Sequence, residues 1–223
     1  MAARLWWLMH KDLVCEYRAR RAWPAMLLFG VVVALAFGLQ MDLPADQKPR
    51  VAGGLLWLAI FFAGMFLVDR SFAAEHEDGC WEGLLLYPVS PAAVYLAKLA
   101  VNVVGLAVLE GLLIPLFAVL SDVPLLVHPG AMALVALLGN LGLASVGTLT
   151  SALVAGIRRH GSLAALVTLP MVIPVVLAAA EASRLLVEGG LGAAWWRWVQ
   201  LLGGFALIFT VVGTVLFEFV IEE

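Results

Sequence analysis

Residues 51–68 read VAGGLLWLAIFFAGMFLV, and residues 69–91 read DRSFAAEHEDGCWEGLLLYPVSP. The first stretch is apolar throughout and is long enough to cross a bilayer, because a span needs about 20 mainly apolar residues. The second stretch is acidic and partly amphipathic, and a further apolar stretch follows at 93–120. An acidic insert between two such stretches predicts a membrane protein with a docking surface on one side of the membrane.

Composition extends this prediction to the whole chain. Hydrophobic residues make up 64% of the chain and charged residues only 13%, whereas soluble domains are about 45–50% apolar and about 25% charged. Six stretches have the length and apolar character of spans: they lie at about 22–41, 51–68, 93–120, 129–156, 162–182 and 198–219. The short connections leave no room for a soluble catalytic domain. We therefore predict an all-α polytopic membrane protein with six transmembrane helices, in which residues 1–223 form a single transmembrane domain and one subunit of a larger assembly.

The first 21 residues are basic, but they are not a cleavable signal peptide, because no apolar core with a small-residue cleavage site is present. On a helical wheel, Lys11 and Arg18 lie opposite a side that holds Leu5, Trp6, Met9, Leu13 and Tyr17. This pattern predicts an amphipathic N-terminal helix over 1–21 that lies in the headgroup layer. The alternative is a basic flank that orients the protein in the membrane and has no ordered structure.

The distribution of Lys and Arg predicts the orientation, because cytoplasmic segments of membrane proteins retain more of these residues. With the N-terminus in the cytoplasm, nine of them fall on the inner side and four on the outer side. The inner residues are Arg4, Lys11, Arg18, Arg20, Arg21, Arg70, Lys98, Arg158 and Arg159, and the outer residues are Lys48, Arg50, Arg184 and Arg197. Six spans then return the C-terminus to the cytoplasm.

The sequence argues against several functional classes. A net charge of -3 and the lack of a basic stripe argue against nucleic acid as a partner. Cys15 and Cys80 both fall on the predicted cytoplasmic side, where thiols stay reduced, and no Cys-x-x-Cys pair is present, so we predict neither a disulfide nor a metal site. The chain also lacks a Gly-x-x-x-x-Gly-Lys-Ser/Thr phosphate-binding loop. We therefore predict a non-catalytic chain without a bound cofactor of its own, so any ATP hydrolysis that its function needs would come from another chain.

The acidic insert is not explained by membrane topology, because acidic residues in a cytoplasmic loop do not help to orient the protein. It carries five acidic residues against the single Arg70, which gives a net charge of -4. Ser71 is suited to start a short helix through Asp78, with Gly79 as a left-handed stop, and an apolar segment ended by Pro88 follows. The functional interpretation is a cytoplasmic coupling element whose acidic tip sits in a groove of a partner. The alternative is a solvated loop with a Leu-rich end that dips into the membrane.

Glu110 is the carboxylate that we expect deep within a span. An intramembrane charge costs about 2.5–3.5 kcal/mol on insertion scales, so this side chain is expected to be protonated, paired or turned toward a polar cavity. Asn102, on the same helix, is a candidate partner. One hypothesis makes Glu110 a pathway or gating residue, and the other makes it a protonated carboxyl that is hydrogen-bonded to a neighbouring helix.

Small residues in the fourth span, namely Gly139, Gly142 and Gly147, allow close helix packing, and we favour packing within the chain over packing across a homodimer. Prolines predict helix kinks, with a gating hinge as the alternative: these are Pro115, Pro170 and Pro174. Tryptophans are predicted first as interfacial anchors: these are Trp23, Trp57, Trp195, Trp196 and Trp198.

Short motifs add a family resemblance to this description. The insert contains Asp69-Arg70, Glu77-Asp78-Gly79 and Glu82-Gly83-Leu84-Leu85-Leu86-Tyr87-Pro88, and Pro91 and Ala97-Lys98 follow. The fifth span contains Leu169-Pro170-Met171-Val172-Ile173-Pro174. Together with the chain length, the six spans and the basic start, these motifs resemble the CcmB family of cytochrome c maturation, also called haem exporter B, over the whole chain.

This resemblance implies an ABC-2-type (type V exporter-like) permease subunit in the bacterial cytoplasmic, or inner, membrane. It implies a separate CcmA-type ATP-binding subunit, the haem-handling partners CcmC and CcmD, and the haem chaperone CcmE. A homodimer with two ATPase subunits is expected. Haem would be handled by the complex, and ATP and Mg²⁺ by the ATPase subunit. In this family, ATP hydrolysis is better connected with release of haem-loaded CcmE than with movement of free haem.

The resemblance also implies that the insert receives the motion of the ATPase, with Glu77, Asp78 and Trp81 as the first expected contacts. The full set of expected coupling residues is Asp69, Arg70, Glu75, Glu77, Asp78, Gly79, Trp81, Glu82 and Pro88. His128 is the only histidine predicted outside, and it forms a candidate outer surface for haem or a haem-handling partner together with Trp195, Trp196 and Trp198. Two alternatives stay open: an ABC-2 exporter for a drug or a lipid-linked glycan, and a non-transporting scaffold of the haem assembly.

Overall fold

The computed structural model describes residues 2–19, 22–40, 43–44, 46–68, 71–72, 90–155 and 162–222, and all regular secondary structure in this part of the chain is helical. The helices are α1 (Ala2–Ala19), α2 (Ala22–Leu39), α3 (Lys48–Val68), α4 (Pro91–Ser121), α5 (Pro129–Ala155), α6 (Ser162–Glu188) and α7 (Ala193–Glu222). Among them α2 to α7 are long and apolar enough to cross a membrane. The prediction of an all-α protein with six transmembrane helices and a helical N-terminus is confirmed.

Local sequence signals explain where the helices begin and end. Pro91 occupies the first turn of α4, where the missing N–H of proline costs no hydrogen bond, and Ser90 before it is extended. Asp122 ends α4 in the left-handed region, with φ 55° and ψ 39°. At the end of α6, the N–H groups of Gly189 and Gly190 both donate to the Leu185 carbonyl at 2.9 Å, and Gly190 has a positive φ that glycine adopts without strain.

Helix α5 lies at the centre of the bundle and packs against α3, α4, α6 and α7. Every residue from 142 to 152 is buried. A Cβ atom built on Gly142 would lie 3.0 Å from Val175 of α6, and one on Gly147 would lie 2.7 Å from Val68 of α3. The small residues of this span therefore allow close packing within the chain, as the sequence predicts.

Trp57 is not the interfacial anchor that the sequence predicts. It is fully buried within α3, and its indole Nε1 donates a hydrogen bond of 3.0 Å to the Ser183 hydroxyl of α6. Its ring fills the space left by Gly139 of α5, since a Cβ atom on that glycine would collide with the indole. The residue acts as a core side chain that holds three helices together.

Candidate coupling site and intramembrane polar groups

All nine residues expected to couple to an ATPase lie outside the described part of the chain, so their roles stay predictions. They are Asp69, Arg70, Glu75, Glu77, Asp78, Gly79, Trp81, Glu82 and Pro88. The structure does describe the two ends that hold the insert: Ser71 and Phe72, which form a turn after α3, and the start of α4 at Pro91. The N–H of Ser71 donates to the Val68 carbonyl at 3.0 Å.

Ser71 is held to the bundle by a chain of hydrogen bonds. Its hydroxyl donates to Asn102 Oδ1 of α4 at 2.8 Å, and Asn102 Nδ2 donates to the Thr148 hydroxyl of α5 at 2.8 Å. The Thr148 hydroxyl in turn donates to the Ala144 carbonyl at 2.6 Å. Asn102 is 1% exposed, and its amide is used in this chain. The expectation that Asn102 pairs with Glu110 is therefore wrong.

Phe72 packs together with one side chain from each of α1, α4 and α7. We call this group the Lys98 cluster: Asp12, Phe72, Lys98 and Phe217. The Lys98 ammonium lies 5.7 Å from the centre of the fully buried Phe72 ring, within the range of a cation–π contact. The Phe72 and Phe217 rings have centres 5.3 Å apart. The first described residues of the insert are thus packed between α4 and the C-terminal part of α7.

Lys98 and Asp12 form a buried ion pair between α4 and α1. Lys98 Nζ lies 3.1 Å from Asp12 Oδ2, and the two side chains are 9% and 11% exposed. Lys11 lies 3.0 Å from the other carboxylate oxygen but is half exposed. The sequence alone indicates Lys98 only as a flanking positive charge, and it does not point to Asp12. The available signal is a basic residue in the second turn of a span, with an acidic residue in a preceding amphipathic helix.

The Lys98 cluster places α1, both described ends of the insert and the C-terminal part of α7 at the same end of the bundle. On α1, Leu8 packs against the core, whereas Trp6 and Trp7 are 61% and 72% exposed. The alternative of an unordered N-terminal flank does not hold, because residues 2–19 are helical. A position of α1 in the headgroup layer stays a prediction.

Glu110 lies between helices rather than facing a large polar cavity. It is 4% exposed, and its Oε2 accepts a hydrogen bond of 3.2 Å from Asn140 Nδ2 of α5. Asn140 Nδ2 also donates to the Val103 carbonyl of α4 at 3.1 Å. Asn140 is not among the residues that the sequence points to. The available signal is a single amide side chain in the span that follows the one with the carboxyl.

The candidate outer surface is only partly exposed. Trp195 is 2% exposed, so its assignment to that surface is wrong, whereas Trp196 is 51% exposed and Trp198 is half-buried. Successive helical residues point about 100° apart, which turns Trp195 toward the core and Trp196 away from it. His128 is half-buried just before α5, and its carbonyl accepts the Met132 N–H at 2.9 Å.

Charged side chains form a group at the same end of the bundle as His128. Arg184 Nη2 lies 2.7 Å from Glu181, its Nη1 also contacts Glu188, and Arg50 lies 3.8 Å from Glu188. These pairs connect the C-terminal turn of α6 to the start of α3. Pro115, Pro170 and Pro174 lie inside helices that continue past them, and their predicted kinks stay predictions.

Residues 3–222 match the family model described as CcmB protein. This chain belongs to the CcmB family. Relatives named "Heme exporter protein B" include that of Rhodobacter capsulatus, 32% identical over 184 residues, or 82% of this chain and 83% of the relative. That of Pseudomonas aeruginosa is 31% identical over 187 residues (83% and 82%), and that of Escherichia coli K12 is 31% identical over 181 residues (79% and 80%). The resemblance drawn from the CcmB motifs is confirmed.

Proposed function

We propose that this chain is the membrane permease subunit of a haem exporter, an ABC-type complex that serves cytochrome c maturation. The observation that carries this proposal is the match to the CcmB family over residues 3–222 together with a fold of six apolar helices. Relatives that are about 30% identical over about four fifths of the chain and bear the name "Heme exporter protein B" support haem as the species that the complex handles.

The partners we propose are a CcmA-type ATP-binding subunit, CcmC, CcmD and the haem chaperone CcmE. Within the complex, two copies of this chain pair with two ATPase subunits, and residues 1–223 act as one permease domain. We place the complex in the bacterial cytoplasmic membrane with both termini of the chain in the cytoplasm. The excess of Lys and Arg on the proposed inner side supports this orientation.

The proposed mechanism is mechanical coupling through the insert at 69–91. Glu77, Asp78 and Trp81 contact the ATPase, which changes shape between its nucleotide states, and a coupling element works only if its contacts differ between those states. The described ends of the insert support this route. Ser71 is hydrogen-bonded through Asn102 to α5, and Phe72 packs in the Lys98 cluster between α4 and α7. A movement of the insert would thereby reach three spans.

The test is a reconstitution of the chain with its candidate ATPase, CcmC, CcmD and CcmE in lipid nanodiscs. We compare wild type, Asp78→Lys and the matched control Asp46→Lys, since Asp46 is exposed before α3, on the opposite side of a span from the insert. The expected result is that Asp78→Lys assembles but loses stimulated ATP turnover and release of haem-loaded CcmE, while the control keeps both.

Each alternative function has its own outcome in this experiment. Unchanged turnover and release in Asp78→Lys would overturn the coupling role of the insert. ATPase binding without any stimulation of turnover by the wild-type chain would indicate a scaffold. Turnover that responds to a drug or a lipid-linked glycan, and not to the haem-handling partners, would indicate an exporter of a different substrate.

A further inference from the structure

Two buried oxygen atoms at the contact between α4 and α5 accept no hydrogen bond within the described part of the chain: Oε1 of Glu110 and Oδ1 of Asn140. The other polar atoms of the two groups are used, because Asn140 Nδ2 donates to Glu110 Oε2. Buried acceptors without a donor are uncommon in native proteins and need a physical explanation. Here they occur as a pair, one on each partner of the same hydrogen bond.

The Val103 carbonyl determines which way the Asn140 amide points. A backbone carbonyl only accepts hydrogen bonds, so the group 3.1 Å from it must be the amide nitrogen. The two N–H bonds of that nitrogen then serve Val103 and Glu110. Asn140 Oδ1 is therefore left as an acceptor that still requires a donor, and an ionised carboxylate, which only accepts, cannot supply one.

The helix bounds indicate that Glu110 and Asn140 lie at the same depth, near the middle of the apolar core. Glu110 lies about eleven residues before the end of α4, and Asn140 about eleven residues after the start of α5. At 1.5 Å per residue, Glu110 is about 16 Å from the end of α4 and Asn140 is about 16 Å from the start of α5. This distance is close to half the thickness of an apolar core of about 30 Å. The hydrocarbon core around the helices supplies no water to solvate a charge at this depth, and Glu110 and Asn140 are only 4% and 1% exposed.

Nothing in the described helices that pack against α4 compensates a negative charge at Glu110. Helices α2 and α5 contain no ionisable residue, and α3 carries Lys48 and Arg50 only in its first turn. The ionisable residues of α7 are near its ends, and the ion pair that α1 makes with α4 is that of Asp12 with Lys98, at the opposite end of α4 from α5. On α4 itself, Lys98 is about 18 Å away along the axis and is paired with Asp12.

We propose that Glu110 binds a proton on Oε1 and forms a neutral, doubly hydrogen-bonded acid–amide pair with Asn140. The carboxyl O–H donates to Asn140 Oδ1, and Asn140 Nδ2 donates to Glu110 Oε2. One proton thus satisfies both unpartnered oxygens and removes the buried charge. The pair is an intramembrane proton-binding site that clamps α4 to α5, and the proton leaves only when that contact opens to water. This inference does not depend on which species the complex transports.

The test is infrared spectroscopy of the full-length chain in lipid nanodiscs at neutral pH, where the C=O band of a protonated carboxyl is separate from the carboxylate bands. The difference between wild type and Glu110→Gln is expected to show loss of one protonated-carboxyl band per chain. Gln keeps both hydrogen bonds to Asn140, because its amide both donates and accepts. The matched control is Glu188→Gln, which removes a partly exposed, Arg-paired carboxylate and is expected to remove only carboxylate bands.

A second variant, Asn140→Leu, tests whether Glu110 is hydrogen-bonded to Asn140. This variant tests the proposal even if Glu110→Gln does not assemble. Loss of the hydrogen bond that Nδ2 donates to Oε2 is expected to shift the Glu110 acid band to higher frequency. Loss of only a carboxylate band in Glu110→Gln would overturn the proposal, because Glu110 would then be ionised. An unshifted acid band in folded Asn140→Leu would also overturn it, because the proton would then not be part of an acid–amide pair.

Discussion

The ammonium of Lys98 on α4 lies 3.1 Å from the carboxylate of Asp12 on α1, and both side chains are about nine-tenths buried. This ion pair connects the N-terminal helix to the span that follows the insert, at the point where Phe72 packs under the same ammonium group. Buried pairs of this kind are costly to break, because each charge has lost its water and depends on the other.

Lys98→Met is expected to destabilise the protein by up to about 3–5 kcal/mol, because it leaves the buried Asp12 carboxylate with only the half-exposed Lys11 as a counter-charge. The double variant Lys98→Met with Asp12→Leu removes both charges and is expected to recover most of that loss. Thermal unfolding in nanodiscs, compared with the control Lys48→Met at the other end of the bundle, measures both effects. A double variant as unstable as the single one would contradict an ion pair as the source of the stability.

Phe72→Ala is expected to weaken coupling more than assembly, because the fully buried ring connects the first residues of the insert to α4 and α7. The measurement is ATP turnover in the reconstituted complex per assembled permease. Phe209→Ala is the matched control, since Phe209 stacks on Phe205 within α7 and packs on the same core. Equal losses of turnover in the two variants would argue against a special role for Phe72.

The number and type of spans could be predicted from sequence because the length and apolar character of each stretch are local properties. The ends of the spans are harder to predict for a physical reason. The sequence predicts a fifth span that ends at 182, whereas α6 continues to Glu188. Glu181 and Arg184 lower the local hydropathy, although they pair with each other along the helix.

Side-chain partners were harder to predict, since they depend on residues that are distant in sequence. From sequence, a tryptophan near the start of a span is predicted as an interfacial anchor. The ring of Trp57 is instead accommodated by Gly139, which lies on another helix and cannot be identified as its neighbour from the sequence. Glu110 is buried, and its partner Asn140 lies on the next span rather than on its own helix. Such pairs become visible only when the helices are assembled.

Trp57→Phe is expected to destabilise the bundle by more than the roughly 0.5–1.5 kcal/mol of one hydrogen bond, because it removes the bond from Nε1 to Ser183 and also part of the ring that packs on Gly139. A double-mutant cycle with Ser183→Ala isolates this bond. The expected coupling energy is near the average of about 0.6 kcal/mol found for hydrogen bonds between membrane helices. A coupling energy of zero, measured by chemical unfolding in mixed micelles, would contradict the bond.

Gly139→Ala and Gly111→Ala form a matched pair that tests close packing around α5. A Cβ atom on Gly139 would collide with the buried Trp57 ring, so this variant is expected to lose about 1–3 kcal/mol through overpacking. A Cβ atom on Gly111 of α4 would meet no atom of the chain within 4 Å, and there alanine should be neutral or slightly stabilising, because it favours the helix by up to about 1 kcal/mol. Thermal unfolding of both variants in the same nanodiscs gives the comparison. A Gly139→Ala protein as stable as Gly111→Ala would mean that α3 and α5 are not packed as closely as the Trp57 ring and Gly139 indicate.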